Sequence, residues 1–555
     1  MTVTISGSGL TLASIEAVAR GEAARLTDDP AVLGRISKSR DVLRQKIAKG
    51  EQIYGVTTLF GGMADQSAGG QFLVDIQRVA LSHHKSTTGP RLAAGDVRAA
   101  MLLRANSLMK GASGIRLEII ERFVTFLNAD ALPHVYQRGS IGASGDLTPF
   151  SYIAGAIVGL HPSFLVNWRG ESLDSHSLLA KLGLEPLTLE PKEGIALNNG
   201  TGVSTGIAAN VLSRALDLTA LTLGIHALYA QALLSTSQTF APFIHEAKPH
   251  PGQVWTAAEM AKLVAGSRVM RDEAAGERGH RAGKLIQDRY SLRCLPQYIG
   301  PIVDGLSVAA RQIETEANSA NDNPLIDPET GEIYHTGNFL AQYTGVAMDS
   351  VRYLIGLLAK HVDAQIALLM TPEFNFGLSA SLVGNQRAKV NVGFKALQVN
   401  GNQMMPLISF YGQSIVDRFP THAEQFNQNI NSQSMNAANL AREQMDVLEH
   451  YLAVALICAV QAVELRAKLV SDTYDACAVL SPATQRLYVA ARSAASGPPD
   501  SSRPLHWNDL DEFLQPKVEG LLADIARRGG VFDSIADVCR SLRARRTDVT
   551  SASSS

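Results

Sequence analysis

At 555 residues, with 46% hydrophobic and 18% charged side chains, the chain can bury a large core and does not have the composition of a disordered polymer. A formal net charge of −2 gives no global pull toward nucleic acid or an anionic membrane. Cys294, Cys458, Cys477 and Cys539 lie far apart and form no CxxC pair, which suits a reduced cytosol better than a disulfide framework or a zinc site.

Met1 to Leu12 shows no basic region followed by an apolar core, so no secretory signal is expected. Residues 13–50 place Leu33, Ile36, Leu43 and Ile47 at helical spacing. A glycine-punctuated loop follows, Tyr54-Gly55-Val56-Thr57-Thr58-Leu59-Phe60-Gly61-Gly62, headed by a tyrosine whose bland reading is a half-buried ring with a hydrogen-bonded hydroxyl. Leu81-Ser82-His83-His84-Lys85 then ends a helix-like stretch, and two adjacent histidines at a helix end are ordinarily solvated or locally paired. Residues 91–128 read as a helical run through Val97, Met101, Leu108, Ile120 and Phe123.

Gly139-Ser140-Ile141-Gly142-Ala143-Ser144-Gly145-Asp146-Leu147 brackets one serine with small residues, ahead of a helix expected from Leu147 to Leu160. Attack of the Gly145 nitrogen on the Ala143 carbonyl, with that carbonyl oxygen and the Ser144 hydroxyl leaving as two waters, would close a five-membered ring bearing an exocyclic methylene. The simpler reading is a serine or aspartate cap at a turn. Breakers between Gly159 and Gly194 predict a surface excursion with short strands, and Ala196-Leu197-Asn198-Asn199-Gly200-Thr201 opens the next helix, its Asn-Gly pair being also a turn signal.

From Val203 to Val264 the pattern predicts long apolar helices, broken near Pro242 and Pro249 to Pro251. Residues 271–283 are charged and glycine-bearing, which predicts a mobile exposed loop leading into Ile286-Gln287-Asp288-Arg289-Tyr290-Ser291-Leu292-Arg293. Arg289 and Arg293 lie four apart and also fit one solvated helix face. Asp322-Asn323-Pro324 ends the helix before it. Helices are predicted over about 341–369, 389–407 and 440–470, with Lys395 and Val399 on one face of the second. The amide-rich stretch 419–432 places Glu424 and Gln428 four apart, on one face if helical. Tyr451 to Val460 is apolar but too short to span a bilayer and reads as a buried bundle helix. A breaker cluster at 496–504, a short helical piece and a polar tail from Thr547 close the chain. No GxxxxGK[ST] loop, zinc spacing, G-x-S-x-G elbow or internal repeat occurs. The expectation is a soluble, cytoplasmic, mainly α protein without metal or nucleotide, with segments at 1–200, 201–495 and 496–555.

The 139–147 segment resembles the prosthetic-group motif of the histidine, phenylalanine and tyrosine ammonia-lyases, and further matching segments run from about Ile53 to Leu487. The shorter, bacterial type of phenylalanine ammonia-lyase is the most similar. The resemblance implies the histidase-like fold, with an N-terminal part and a long central helical bundle. It implies a methylidene-imidazolone (MIO) formed autocatalytically from Ala143, Ser144 and Gly145, and a homotetramer whose sites draw loops from three subunits. It makes Tyr54 the base, which needs electropositive neighbours to lower a phenol of ordinary pKa ~10. Tyr290 completes the site, Arg293 pairs with the substrate carboxylate, Gln287 supports by hydrogen bonding, and Asn199 holds the MIO and the substrate. Phe60 and Phe339 line the site, Lys395 belongs to the ring pocket, Glu424 sits near the amine and Gln428 reads the ring end.

Five positions depart from the family's usual residues: Leu59 and Thr336 for glycine, Asn198 for an apolar residue, and histidine at 83 and 84 for an apolar or aromatic pair. Tyrosine-selective relatives have histidine at the position of His84, where it bonds the para-hydroxyl. Glutamine at 428, where histidine-specific relatives have glutamate, argues against histidine as substrate. The expected reaction is L-tyrosine to p-coumarate and ammonia. The alternatives are phenylalanine deamination, an aromatic aminomutase with Leu59 tightening a lid, and a helical assembly protein without catalysis.

Overall fold

A computed structural model describes residues 2–271, 287–418 and 422–545. The predicted loop at 271–283 falls, from residue 272 onward, outside the described residues, as does the tail from Thr547. The chain forms two compact units, one of residues 1–213, 309–350 and 414–442, the other of 214–308, 351–413 and 443–555. The units interleave along the chain, where the sequence lays three segments end to end.

In the first unit, Asp29 caps the helix Pro30–Ala48, its carboxylate accepting from the Ala31 N–H ahead of a proline-fixed first turn. The run predicted over 91–128 is two helices, Ala94–Leu108 and Leu117–Asn128, with the poorly helix-forming Gly-Ala-Ser-Gly stretch at 111–114 between them. Ala94–Leu108 is buried from Asp96 onward, and its buried Asp96, Arg98, Arg104 and Asn106 are hydrogen-bonded inside the protein. The helix Leu147–Val158 is buried from Thr148 to its end and stops at Gly159, which takes a left-handed conformation. The excursion after it holds the short strands Leu165–Trp168 and Glu171–Asp174, paired antiparallel, and the helix Ser175–Lys181 capped by Asp174. The amide-rich stretch is not helical where described: Glu424, Gln425 and Phe426 have φ of 50°, 55° and 66°. Gln428 N–H donates to Ala423 O (3.1 Å) to close this left-handed turn. Glu424 and Gln428 are therefore brought together by a turn and not by a helix face.

In the second unit the core is helical, and residues 451–460 of the helix Ser434–Ser471 are all buried, as read from the sequence. The helix predicted from 389 begins later, at Lys395, and ends at Tyr411; Val399 on it is 66% exposed. Glu464 is buried against Arg492, whose Nε donates to Oε1 at 2.9 Å, and receives Tyr488 Oη–H at 3.0 Å. Removing one partner of such a buried pair leaves an uncompensated charge, at a cost of roughly 3–5 kcal/mol.

Candidate active site

One cavity in the first unit, about 160 Å³, gathers Tyr54, Phe60, His84, Ser144, Asn199, Phe339, Glu424 and Gln428. Eight residues singled out from the sequence, from six separate stretches, thus share one space. The cavity also takes Asn323, Asn427, His83, Asn198 and Ile195. Asn323 and Asn427 were not assigned a role from the sequence. Asn323 stood within a recognised segment, but the turn that brings in Asn427 has no helical or strand period to reveal it.

A buried polar frame supports these residues. Lys192 Nζ and Asp322 Oδ2 pair at 2.6 Å, both fully buried, fixing the start of the short helix Glu193–Asn198 against the turn that carries Asn323. Asn321 accepts from Arg104 (3.1 Å) and Ser107 (3.2 Å) and donates to Thr201 Oγ1 (2.9 Å). Asn199 is thereby held between two helices, Glu193–Asn198 and Gly202–Ala232.

Around Ser144 the backbone is pressed against its neighbours. Gly145 has φ +70°, and a Cβ there would sit 2.2 Å from the Gly200 carbonyl oxygen, so only glycine fits. Asp146 N–H donates to that same oxygen at 2.7 Å. The Asp146 carboxylate receives Ser204 N–H (2.7 Å) and Oγ–H (3.0 Å), and burial pushes it up to about 6. Asn199 Nδ2 donates to the Ser144 carbonyl at 2.9 Å, while its own buried Oδ1 has no partner among the described residues. Gln428 Nε2 donates to Ser144 Oγ at 3.1 Å.

Tyr54 differs from expectation. Its hydroxyl oxygen accepts the Gly61 N–H at 2.8 Å, which favours the phenolate. Burial, however, raises its pKa above the ordinary value, and the Glu424 carboxylate raises it further. The neighbour acting on Tyr54 is thus an acid, where electropositive groups were expected. Glu424 is close because Gly61 lacks a side chain: a Cβ there would lie 2.4 Å from Glu424 Oε2.

His84 has a definite tautomer. Its Nδ1 lies 2.8 Å from Ala80 O, and a carbonyl only accepts, so Nδ1 carries the hydrogen. Burial, aided by His83, pulls its pKa down to about 4, so the ring is neutral at pH 7 and Nε2 presents a lone pair. Asn198, fully inside the protein, donates to the same Ala80 carbonyl at 2.7 Å and to Ser151 Oγ at 3.2 Å. The departure at 198 therefore braces the histidine-bearing turn. His83 stacks on Phe60, ring centroids 6.1 Å apart, and with Phe60 and Leu59 also lines an adjoining apolar groove.

Gln287, Tyr290, Arg293 and Lys395 belong to the second unit. Tyr290 and Arg293 bound a four-residue helical turn. Arg293 donates to Gln287 Oε1 at 2.8 Å and its guanidinium lies 4.7 Å from the centre of the Tyr290 ring, which is 73% exposed. Lys395 stands exposed at the first turn of its helix. Among the described residues no cluster of three His, Cys, Asp or Glu side chains is placed to hold a metal ion.

A largely helical chain with a cavity of phenol, carboxylate, amides and a glycine-bracketed serine has the architecture of the histidine and phenylalanine ammonia-lyases. The chain belongs to the aromatic amino acid lyase family, whose model matches residues 10–493. It is 63% identical over 543 residues to an aromatic ammonia-lyase of Loktanella atrilutea, covering 98% of this chain and 99% of that one. It is 52% identical over 543 residues to a phenylalanine ammonia-lyase of Nostoc punctiforme, covering 98% and 95%. Among solved structures, the tyrosine aminomutase of Streptomyces globisporus matches with a TM-score of 0.85 at 29% identity over 99% of each chain. The protein is an enzyme of the carbon–nitrogen lyase class, and ammonia-lyases of this family use an autocatalytically formed MIO.

Proposed function

We propose that the protein deaminates an aromatic L-amino acid, with L-tyrosine preferred, giving p-coumarate and ammonia. The observation that carries the tyrosine preference is His84: neutral, fixed with its hydrogen on Nδ1, and lining the cavity with Nε2 free to accept a phenol O–H. With phenylalanine that acceptor stays unpaired, the kind of mismatch that discriminates strongly.

Ala143, Ser144 and Gly145 fit the MIO on two observations: no side chain is tolerated at Gly145, and Asn199 donates to the Ser144 carbonyl. Once formed, the group supplies an electrophile for the substrate amine. In the formed group the Asn199 hydrogen bond would withdraw electron density from the Ser144 carbonyl, while Gln428 holds the Ser144 hydroxyl of the precursor, the oxygen lost on ring formation. Glu424 receives the substrate ammonium, and that ion pair offsets the carboxylate charge that adds to burial in raising the Tyr54 pKa. Tyr54 then takes the β-proton, its phenolate kept by the Gly61 N–H. Arg293, with Gln287 and Tyr290 beside it, anchors the carboxylate. These three are supplied by a neighbouring subunit of a homotetramer, a reading supported by the exposure of Tyr290.

Leu59, which lines the apolar groove, favours one second reading, an aminomutase that returns ammonia to the β-carbon. Chiral chromatography of the products separates the two, since only the mutase yields a β-amino acid. For the substrate, kcat/KM is measured on L-tyrosine, L-phenylalanine and L-histidine by aryl acrylate absorbance and ammonia release. The expected result is a tyrosine preference above about tenfold, ~1.4 kcal/mol, reversed in His84→Leu and kept in His83→Leu. A phenylalanine preference in the unaltered enzyme sinks the role given to His84.

A further inference from the structure

The second unit holds a buried chain of polar side chains joined by hydrogen bonds. Gln365, on the helix Gln342–Met370, and His226, on the helix Gly202–Ala232, are fully buried, and His361 is nearly so. Gln365 Nε2 donates to the Ser291 carbonyl at 2.6 Å, and its Oε1 lies 2.6 Å from His226 Nδ1. An amide oxygen only accepts, so His226 carries its hydrogen on Nδ1 and its Nε2 is an acceptor. His361 Nδ1 lies 3.2 Å from that acceptor and donates to it. The hydrogen bonds therefore converge on the Ser291 carbonyl, by way of His226 and Gln365 and also directly from His361. The direction is stable because burial keeps both imidazoles neutral.

Ser291 is the second residue of the turn Tyr290–Arg293. Four residues are too few to stabilise a helical turn by themselves, so an external donor on its carbonyl has a structural use. We propose that Gln365, oriented by His226 and His361, is a positioning residue for the substrate's carboxylate: it sets the turn from which Arg293 projects. This inference rests on the reading that Arg293 holds the carboxylate.

The test compares two inhibitors of one ring structure on the mature enzyme, an aryl acrylate, which has the carboxylate, and the arylethylamine, which lacks it. Intact mass, with its two-water deficit, certifies the prosthetic group in each variant. In Gln365→Met, a substitution of similar length without hydrogen bonds, acrylate inhibition should weaken by about tenfold while amine inhibition changes by less than about twofold. His226→Phe cuts only the next link and should move the same ratio in the same direction by less; it carries the test if Gln365→Met does not fold. Arg293→Met is the reference. If it shifts the ratio and Gln365→Met does not, or if Gln365→Met weakens both inhibitors alike, Gln365 is structural and the inference is wrong. If Arg293→Met itself leaves the ratio unchanged, the reading of Arg293 fails and the inference falls with it.

Discussion

The cavity of the first unit and the Tyr290–Arg293 turn of the second are built in opposite ways. In the cavity nearly every polar atom is fixed by a neighbour: the Ser144 carbonyl by Asn199, its hydroxyl by Gln428, the Tyr54 oxygen by Gly61 and His84 Nδ1 by Ala80. The turn carries Tyr290 mostly exposed and Arg293 half-buried, and its Ser291 carbonyl receives the buried Gln365 amide. Groups that meet charge as it develops gain most from preorganisation, because they need not reorganise during the reaction. A guanidinium that holds a carboxylate of constant charge works from a surface turn, provided the turn itself does not wander.

If that contrast is right, damage to the cavity should stop the chemistry and damage to the turn should weaken binding. Ser144→Ala is expected to have the largest effect. It removes the hydroxyl whose loss completes ring formation, so the two-water mass deficit should disappear and turnover should fall by roughly 10³-fold or more. Tyr54→Phe should reduce kcat by about 10²–10⁴-fold with the mass deficit intact. Substantial residual activity in Tyr54→Phe would remove the phenol from its place as base. Arg293→Met is next: a charge-assisted pair is worth about 1.5–3 kcal/mol, so KM should rise by about 10–100-fold with kcat falling less. A fall confined to kcat would put Arg293 with the cavity residues and erase the contrast.

The two regions were also unequally legible in the sequence. The 139–147 stretch announces itself because the geometry needs residues without side chains, and at Gly145 the carbonyl of Gly200 does lie where a Cβ would be. Long helices were equally plain, since residues such as 451–460 are apolar on every face for the simple reason that protein surrounds them. The Glu424–Gln428 pairing was anticipated by the wrong geometry: an i, i+4 spacing suggests a helix, but three successive residues with positive φ make a left-handed turn that no periodicity encodes. The charge around Tyr54 was missed for a related reason. Glu424 reaches it across some 370 positions of sequence, through the gap left by Gly61, and pattern has no access to such a contact. His84 lay between; its position was noticed, but its tautomer follows only from the Ala80 carbonyl.

The smallest predicted effect tests the Tyr54–Glu424 coupling most directly. In the free enzyme the Glu424 charge raises the Tyr54 pKa, so the rise of kcat/KM with pH, which reports free enzyme, comes later than it would beside a neutral side chain. Glu424→Gln removes the charge and keeps the shape. The phenol should ionise more easily, and the ascending limb of kcat/KM should move to lower pH. The limb of kcat reports the substrate complex, where the ammonium already compensates Glu424 in the unaltered enzyme, and it should move less. Glu424→Gln also weakens amine binding, which lowers kcat/KM at every pH without moving its midpoint, so position and height of the limb separate the two roles of this carboxylate. A limb shifted to higher pH, or equal shifts in kcat and kcat/KM, would mean that substrate binding does not relieve the charge on Tyr54 and that its proton must be drawn off by another group.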